Sequence, residues 1–241
     1  MLNSPWIDFR VMMAAGQAVL DGINPYTIEW RFYTPLWSIP GLTLLASLPL
    51  QIALVIWTIL SVSCWVLFLY KMSNKDILAV LIFMCNPFFL RGLVMGSYDW
   101  VVVAGALLPF QYGVWLMALK PQVAFVCIMV WAKGVDKRIV LQTLIPIAIL
   151  FLAAIFTGFY RAPDLEEMYW NTSLFPYSIP LGLILVWFSL KRNDSLLALA
   201  AAPLLSPYVG IQSWAFVLLP FIRNRHVLIL AVILGWIIYG I

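Results

Sequence analysis

Charged residues are scarce in this chain of 241 residues, and histidine and cysteine are scarcer still. Only 10% of the residues are Asp, Glu, Lys or Arg, against 64% apolar residues and a mean hydropathy of +1.00. Soluble domains carry about 25% charged residues, so this composition excludes an ordinary soluble domain. We therefore expect an all-α membrane protein, because lipid leaves no partner for an unpaired backbone.

The scarcity of metal-binding and redox-active residues excludes further kinds of site. A single histidine, His226, rules out a site built from several histidines. The three cysteines, Cys64, Cys85 and Cys127, all lie in apolar runs, which is typical of small buried residues and not of a disulfide or metal set. No glycine-rich phosphate loop occurs. The net charge of +4 reflects membrane topology, and we expect no nucleic-acid partner.

The charge that precedes residue 70 is concentrated in the first forty residues. Residues 8–20 place their larger apolar side chains near one face, which predicts a short amphipathic helix in the membrane interface. Asp8 is well placed to cap that helix and to face the positive end of its dipole. The apolar stretch 36–48 is short of the ~20 residues that a span needs, so it predicts a second interfacial helix.

The rest of the chain divides into apolar segments separated by polar turns. We expect residues 1–48 to form the interfacial pair and residues 49–241 to form one transmembrane domain of about 7–9 short or full spans. Within it, residues 98–131 are too long for one span. Pro109, Gly113 and Lys120-Pro121 are predicted to break this stretch into three pieces, of which the first two form a hairpin.

Basic residues orient these spans. The four turns at 71–75, 133–138, 191–194 and 223–226 hold nine of the fourteen Lys and Arg residues. Because cytoplasmic loops are enriched in Lys and Arg, these turns are predicted to lie in the cytoplasm. The first 48 residues would then lie on the opposite, extracytoplasmic side.

Short motifs carry a resemblance to a known family. They occur in this order: Asp8-Phe9 followed by Asp21-Gly22-Ile23-Asn24-Pro25-Tyr26, Arg31-Phe32-Tyr33-Thr34-Pro35-Leu36, Gly96-Ser97-Tyr98-Asp99-Trp100, Ala118-Leu119-Lys120-Pro121-Gln122, and Leu204-Leu205-Ser206-Pro207-Tyr208. Together they resemble the GT-C superfamily of polytopic glycosyltransferases, and in particular bacterial mannosyltransferase-like enzymes that use polyprenyl-phosphate sugars. The resemblance implies a GT-C-like bundle in a bacterial inner membrane, with its active side extracytoplasmic.

The resemblance also implies a reaction, in which a sugar moves from a polyprenyl-phosphate donor to an acceptor hydroxyl. Asp8 matches the acidic residue of the family's first loop and would act as general base. Asp99 is the alternative base, and helix capping is the other interpretation of both carboxylates. The two together could also hold Mg²⁺ or Mn²⁺ with water and phosphate oxygens.

Lys120 lies in the apolar stretch 113–132, where an ionised lysine costs about 2.5–3.5 kcal/mol. A lipid phosphate would offset that cost, and snorkelling to water is the alternative. Arg91, Arg31 and Arg161 could share the phosphate or simply anchor the chain at the membrane surface. The residues expected to line the substrate site are Arg10, Tyr26, Tyr98, Tyr208 and Gln212.

The chain departs from the resemblance in length. Family members begin with a transmembrane helix before the acidic loop, whereas seven residues precede Asp8 here, so that first helix is expected to be missing. A shortened member could be a minimal enzyme, an enzyme that needs a partner, or a non-catalytic subunit or lipid-binding scaffold. The expected partners are the polyprenyl-phosphate sugar, membrane lipids and another membrane subunit.

Overall fold

The computed structural model describes residues 5–28, 34–157 and 171–240, and no β-strand occurs in these ranges. Two of the expected phosphate ligands, Arg31 and Arg161, lie outside the described residues. The α-helices are α1 (Ile7–Leu20), α2 (Ile39–Ala46), α3 (Leu50–Met72), α4 (Ile77–Met84), α5 (Pro87–Met95), α6 (Trp100–Leu107), α7 (Phe110–Met117), α8 (Pro121–Ala132), α9 (Lys137–Phe156), α10 (Ile179–Arg192), α11 (Ser195–Leu205) and α12 (Arg225–Tyr239). The 3₁₀ helices are Pro25–Thr27, Leu36–Ser38 and Ile211–Arg223.

The first two helices are short and pack closely on each other. Gly16 of α1 lies so near α2 that a Cβ atom there would stand 2.5 Å from the Leu42 carbonyl oxygen. With the preceding 3₁₀ turn, α2 covers only residues 36–46, so a short second helix is confirmed. The expected cap is wrong: α1 begins at Ile7 with Trp6 in the N-cap position, and no side chain makes a capping bond. Asp8 lies in the first turn instead.

Residues 100–132 form three helices, as the sequence predicts, and the first two form a tight hairpin. The chain breaks at Pro109 and at Lys120-Pro121, because proline cannot donate a backbone hydrogen bond. The predicted break at Gly113 is wrong, since this residue lies inside α7. Its lack of a side chain serves packing, because a Cβ there would lie 2.2 Å from the Gly105 carbonyl oxygen of α6.

The four basic turns meet at one end of the molecule, which we call the basic end. The contacts are an ion pair of Arg223 with Asp194, an ion pair of Arg225 Nε with Asp76 Oδ2 at 2.8 Å, and a hydrogen bond of 3.0 Å from Lys133 Nζ to the Leu190 carbonyl oxygen. The turns that were grouped by charge alone are therefore neighbours in space. The opposite end, which carries α1, α2 and the loop after α5, is called the site end.

Two described helices are long and apolar enough to cross a membrane: α3 with 23 residues and α9 with 20. The helices α4 and α5 would form a third span, bent by 66°, if they cross as one unit. Large apolar side chains are exposed along the outer faces of these helices; Phe156 of α9, for example, is 85% exposed. The core lies around α11, whose alanines are buried and let α8 and α10 approach closely.

Candidate functional site

Lys120 and Asp99 form a buried ion pair at the site end, with side chains 5% and 8% exposed. Asp99 directly precedes α6 and Lys120 directly precedes α8, so the pair joins the two ends of the α6–α7 hairpin. A buried charge without a partner is costly, and each residue supplies the other's partner. The carboxylate of Asp99 therefore supplies the negative charge for which the sequence suggested a lipid phosphate.

Two hydroxyl groups complete the surroundings of Asp99. Ser97 Oγ donates to Oδ2 at 3.1 Å, and Ser213 Oγ lies 3.2 Å from Oδ1. Asp99 occupies the N-cap position of α6, but its side chain makes no capping bond. The capping interpretation is therefore wrong for Asp99, and its carboxylate serves Lys120 and the two serines.

Asp8 lies within electrostatic reach of this pair. Gln212 Nε2, on the 3₁₀ helix Ile211–Arg223, donates to Asp8 Oδ2 at 3.3 Å. Burial raises the pKa of Asp8 to about 6; the positive charges of Lys120 and Arg91 lower it, while the negative charge of Asp99 raises it. A carboxyl group with such a pKa can accept a proton near neutral pH.

Contacts to its backbone fix the position of the loop between α5 and α6. Gly96 has φ = 67°, and a Cβ there would lie 2.6 Å from the Cβ of Phe9 on α1. The indole of Trp57, on α3, donates to the Gly96 carbonyl oxygen at 3.0 Å. The Trp6 backbone N–H donates to the Val94 carbonyl oxygen at 2.7 Å. These contacts bring α1, and with it Asp8, beside the loop that holds Asp99.

The position of Trp57 along α3 indicates how far the site lies from the start of that helix. Trp57 is seven residues from the start of α3, or about 10 Å along the helix axis at 1.5 Å per residue. The loop that carries Asp99 is therefore level with the first third of the longest described helix. The charged groups lie below the outermost helix end and not on the outer surface.

The other expected site residues are distributed around this centre. The Lys120 ammonium lies 4.9 Å from the centre of the Tyr98 ring, which is cation–π distance. Arg91 is partly buried on α5, and Arg10 is exposed on α1. The Tyr26 hydroxyl donates to the Thr34 carbonyl oxygen at 2.7 Å.

Tyr208 belongs to a segment that is fixed by the residues before α10. The Thr172 backbone N–H donates to the Val209 carbonyl oxygen at 2.9 Å, and Asn171 Nδ2 donates to the Pro207 carbonyl oxygen at 3.0 Å. This segment leads directly into the 3₁₀ helix that carries Gln212. Of the expected lining residues, Tyr98 and Gln212 have described contacts with the charged centre.

Sequence reasoning grouped Ser97 and Ser213 with the candidate site segments but assigned neither a contact with Asp99, and it missed Trp57. Ser213 lies 114 positions from Asp99, and Gln212 lies 204 positions from Asp8. No local pattern indicates such contacts. The glycine after α5 was the one signal available, because a glycine that follows a helix marks a positive φ.

The sequence-based prediction of a divalent metal concerns two carboxylates of this centre, Asp8 and Asp99. No group of three or more His, Cys, Asp or Glu residues that could hold a metal lies within the described ranges. Asp99 already faces the Lys120 ammonium and two hydroxyls, and a divalent cation beside it would meet the positive charge of Lys120. The hypothesis that Asp8 and Asp99 hold Mg²⁺ or Mn²⁺ together with water and phosphate oxygens stays a prediction.

No family model, no curated protein and no solved structure matches the chain. The likeness to the GT-C superfamily therefore depends on the short motifs and stays a prediction.

Proposed function

We propose that the chain is a polytopic membrane protein with its basic end in the cytoplasm and its site end outside. The long apolar helices, their exposed apolar faces and the grouping of basic turns support this topology. If α4–α5 cross as one unit and the α6–α7 hairpin is re-entrant, the passes are eight: α3, α4–α5, α8, α9, α10, α11, the 3₁₀ helix Ile211–Arg223 and α12.

Several of these passes are short. The helices α8 and α11 have 12 and 11 residues, well below the ~20 residues of a full span. Both are largely buried among other helices, so α3 and α9 would meet most of the lipid. A locally thin bilayer would accommodate the difference in length.

We propose that the site transfers a sugar from a polyprenyl-phosphate donor to an acceptor hydroxyl. The observation that carries this proposal is the placement of Asp8, whose carboxylate accepts from Gln212 Nε2 at 3.3 Å and whose pKa is raised to about 6, within electrostatic reach of the Lys120–Asp99 ion pair. The Asp8 carboxylate takes the proton of the acceptor hydroxyl, and the acceptor oxygen forms a bond to the anomeric carbon. The bond from that carbon to the phosphate oxygen breaks, and its electron pair leaves with the phosphate.

The positive side chains act on the leaving group. Lys120, with Arg91 nearby on α5, would stabilise the negative charge that builds on the phosphate. Asp99 would hold the Lys120 ammonium in place and is not proposed as the base, because both its oxygens already accept hydrogen bonds. The depth of the site suits a donor whose phosphate lies near the membrane interface.

The test is sugar transfer by the purified protein in liposomes that contain polyprenyl-phosphate hexoses. Asp8→Asn removes the proton acceptor, so we expect transfer to fall on the order of 10²-fold or more. Asp21→Asn is the matched control, because Asp21 is exposed at the other end of the same helix. Transfer that persists in Asp8→Asn would exclude Asp8 as the base.

One observation favours a second candidate function, a non-catalytic membrane subunit or lipid-binding scaffold. The charge of Lys120 is already neutralised by Asp99, as a purely structural pair would be. Such a scaffold would transfer no sugar from any polyprenyl-phosphate donor. The loss of Asp8 would then leave the amount and assembly of the protein unchanged.

A further inference from the structure

A small cavity adjoins the charged centre. It lies between α3, α5, the loop before α6 and the 3₁₀ helix Ile211–Arg223, and the space open to the centre of a water molecule measures ≈ 10 Å³. One water molecule needs about 10–15 Å³ on this measure and two to four polar partners. The polar side chains in its lining are Ser61, Ser97, Asp99 and Gln212.

Ser61 is the unusual member of this set. It is only 6% exposed, yet its hydroxyl makes no hydrogen bond with any residue in the described ranges. Hydroxyls on helices commonly bond back to a carbonyl one turn earlier, as Thr58 does to Leu54 at 2.8 Å and Thr143 does to Ile139 at 2.8 Å. Ser61 makes no such bond and lines the cavity, so a water molecule in the cavity would be the partner of its hydroxyl.

The side-chain amide of Gln212 has an unused hydrogen-bond acceptor beside the same cavity. Its Nε2 donates to Asp8 at 3.3 Å, which leaves the amide oxygen as a further acceptor. Asp99 also keeps one acceptor site on Oδ2, since a carboxylate has about four lone-pair sites and Lys120, Ser213 and Ser97 occupy three of them. The cavity therefore joins one unpartnered hydroxyl to acceptors on two other elements.

We propose that this cavity binds one water molecule that connects Ser61 to Asp99 and Gln212. The water accepts a hydrogen bond from the Ser61 hydroxyl and donates its two hydrogens to the Asp99 carboxylate and the Gln212 amide oxygen. It thereby links α3 to the residue that holds Lys120 and to the residue that contacts Asp8. This inference concerns the architecture of the site and does not depend on sugar transfer.

The first test compares Ser61→Ala with Ser63→Ala by thermal unfolding of the purified protein in lipid nanodiscs. Ser63 is exposed two residues further along the same helix, which makes it a matched control. If a water is bound, Ser61→Ala removes one of its three partners, and Tm should fall by about 2–4 °C. If the cavity is dry, Ser61→Ala removes an unpartnered hydroxyl, and an unchanged or higher Tm would overturn the proposal.

The second test records the protonation of Asp8 by infrared spectroscopy of its carboxyl group, with Asp8→Asn to identify the band. Loss of the water alters the position of Gln212, so the midpoint of the Asp8 titration should shift in Ser61→Ala and stay in place in Ser63→Ala. An identical midpoint in both variants would contradict the proposed link.

The third test is direct. A structure at better than about 2 Å resolution should contain a density peak within hydrogen-bond distance of Ser61 Oγ, and an empty cavity would overturn the proposal. A Tm that rises with sodium chloride but not with choline chloride would also overturn it, because a cation and not a water would then occupy the cavity.

Discussion

At the scale of single residues, Asp8 makes the stability of the protein depend on pH. Its pKa is about 6 in the folded protein, against an ordinary value of 3.8, so the folded state binds the proton more tightly than the unfolded state. The free energy of unfolding should therefore fall as the pH rises from about 4 to about 6, and it should be level above that. The proposed sugar transfer, which would need the carboxylate, should instead be lost below about pH 6.

Because the pKa of Asp8 is raised in the folded protein, Asp8→Asn should change the stability only where the wild-type carboxyl group is ionised. The amide cannot ionise, so the variant should match the wild type near pH 4 and exceed its stability above pH 6. We expect a difference on the order of 1–2 kcal/mol, reduced by solvent screening because Asp8 is only partly buried. Denaturation between pH 4 and 8 measures it. A stability difference that is the same at every pH would contradict the raised pKa.

Lys120 and Asp99 should be energetically coupled. Lys120→Met leaves a buried carboxylate without its partner, which should cost about 3–5 kcal/mol. The double variant Lys120→Met/Asp99→Asn removes both charges, so it should be more stable than Lys120→Met alone. Denaturant unfolding of the three variants and the wild type gives the coupling energy.

The Arg225–Asp76 pair at the basic end serves as the control for this cycle. Its side chains are 53% and 28% exposed, and exposed pairs contribute only about 0–1 kcal/mol. Arg225→Met should therefore cost far less than Lys120→Met. Purely additive effects of the Lys120 and Asp99 substitutions would show that the two charges do not stabilise each other.

The sequence identified most of these residues but not their partners. Lys120 stood out because charges are rare in apolar stretches, whereas Asp8 and Asp99 were selected through the resemblance of their motifs to the GT-C superfamily. The cap predicted for Asp8 failed because Trp6, in a left-handed conformation with φ = 65°, takes the N-cap position, two residues before Asp8. The ion pair joins positions 21 apart across a hairpin, and periodicity contains no information on such a contact.

At the scale of elements, the α6–α7 hairpin depends on two glycines that touch. A methyl group at position 113 would lie 2.2 Å from the Gly105 carbonyl oxygen and 3.0 Å from the Trp131 ring, so the helices must move apart. Gly113→Ala should cost about 1–3 kcal/mol, as overpacked cores do. Thermal unfolding measures the effect.

Gly41→Ala is the matched control for the hairpin. Gly41 also lies within a helix, but a Cβ there meets nothing within 4 Å. The substitution should therefore be neutral or stabilise the protein by about 0.5–1 kcal/mol through helix propensity. Equal losses at positions 41 and 113 would mean that glycine flexibility, and not close packing, explains the effect.

Helix boundaries followed from the sequence where proline sets them. Pro109 and Pro121 act through local geometry, so the breaks before them were predictable. The helix break predicted at Gly113 was wrong, because glycine is tolerated inside a helix where a neighbouring backbone approaches closely. The 3₁₀ form of Ile211–Arg223 was also unforeseen, since an apolar run does not distinguish 3₁₀ from α-helical geometry.

At the scale of the whole molecule, the two ends should face opposite sides of the membrane. Cysteine-labelling reagents that cannot cross the bilayer should react with Gln17→Cys and Tyr177→Cys from outside and with Lys71→Cys and Lys191→Cys only after lysis. All four positions are exposed. The three native cysteines are first replaced by alanine. Labelling of Gln17→Cys and Lys71→Cys from the same side would sink the proposed topology.

The Lys120–Asp99 pair also constrains the order of events during synthesis. Asp99 leaves the ribosome 21 residues before Lys120, and until then its carboxylate has no ammonium partner. Moving one such charge into hydrocarbon costs about 2.5–3.5 kcal/mol, whereas the completed pair has no net charge. In the proposed topology, the hairpin and the start of α8 would therefore enter the bilayer together, and the insertion machinery would handle residues 99–120 as one unit.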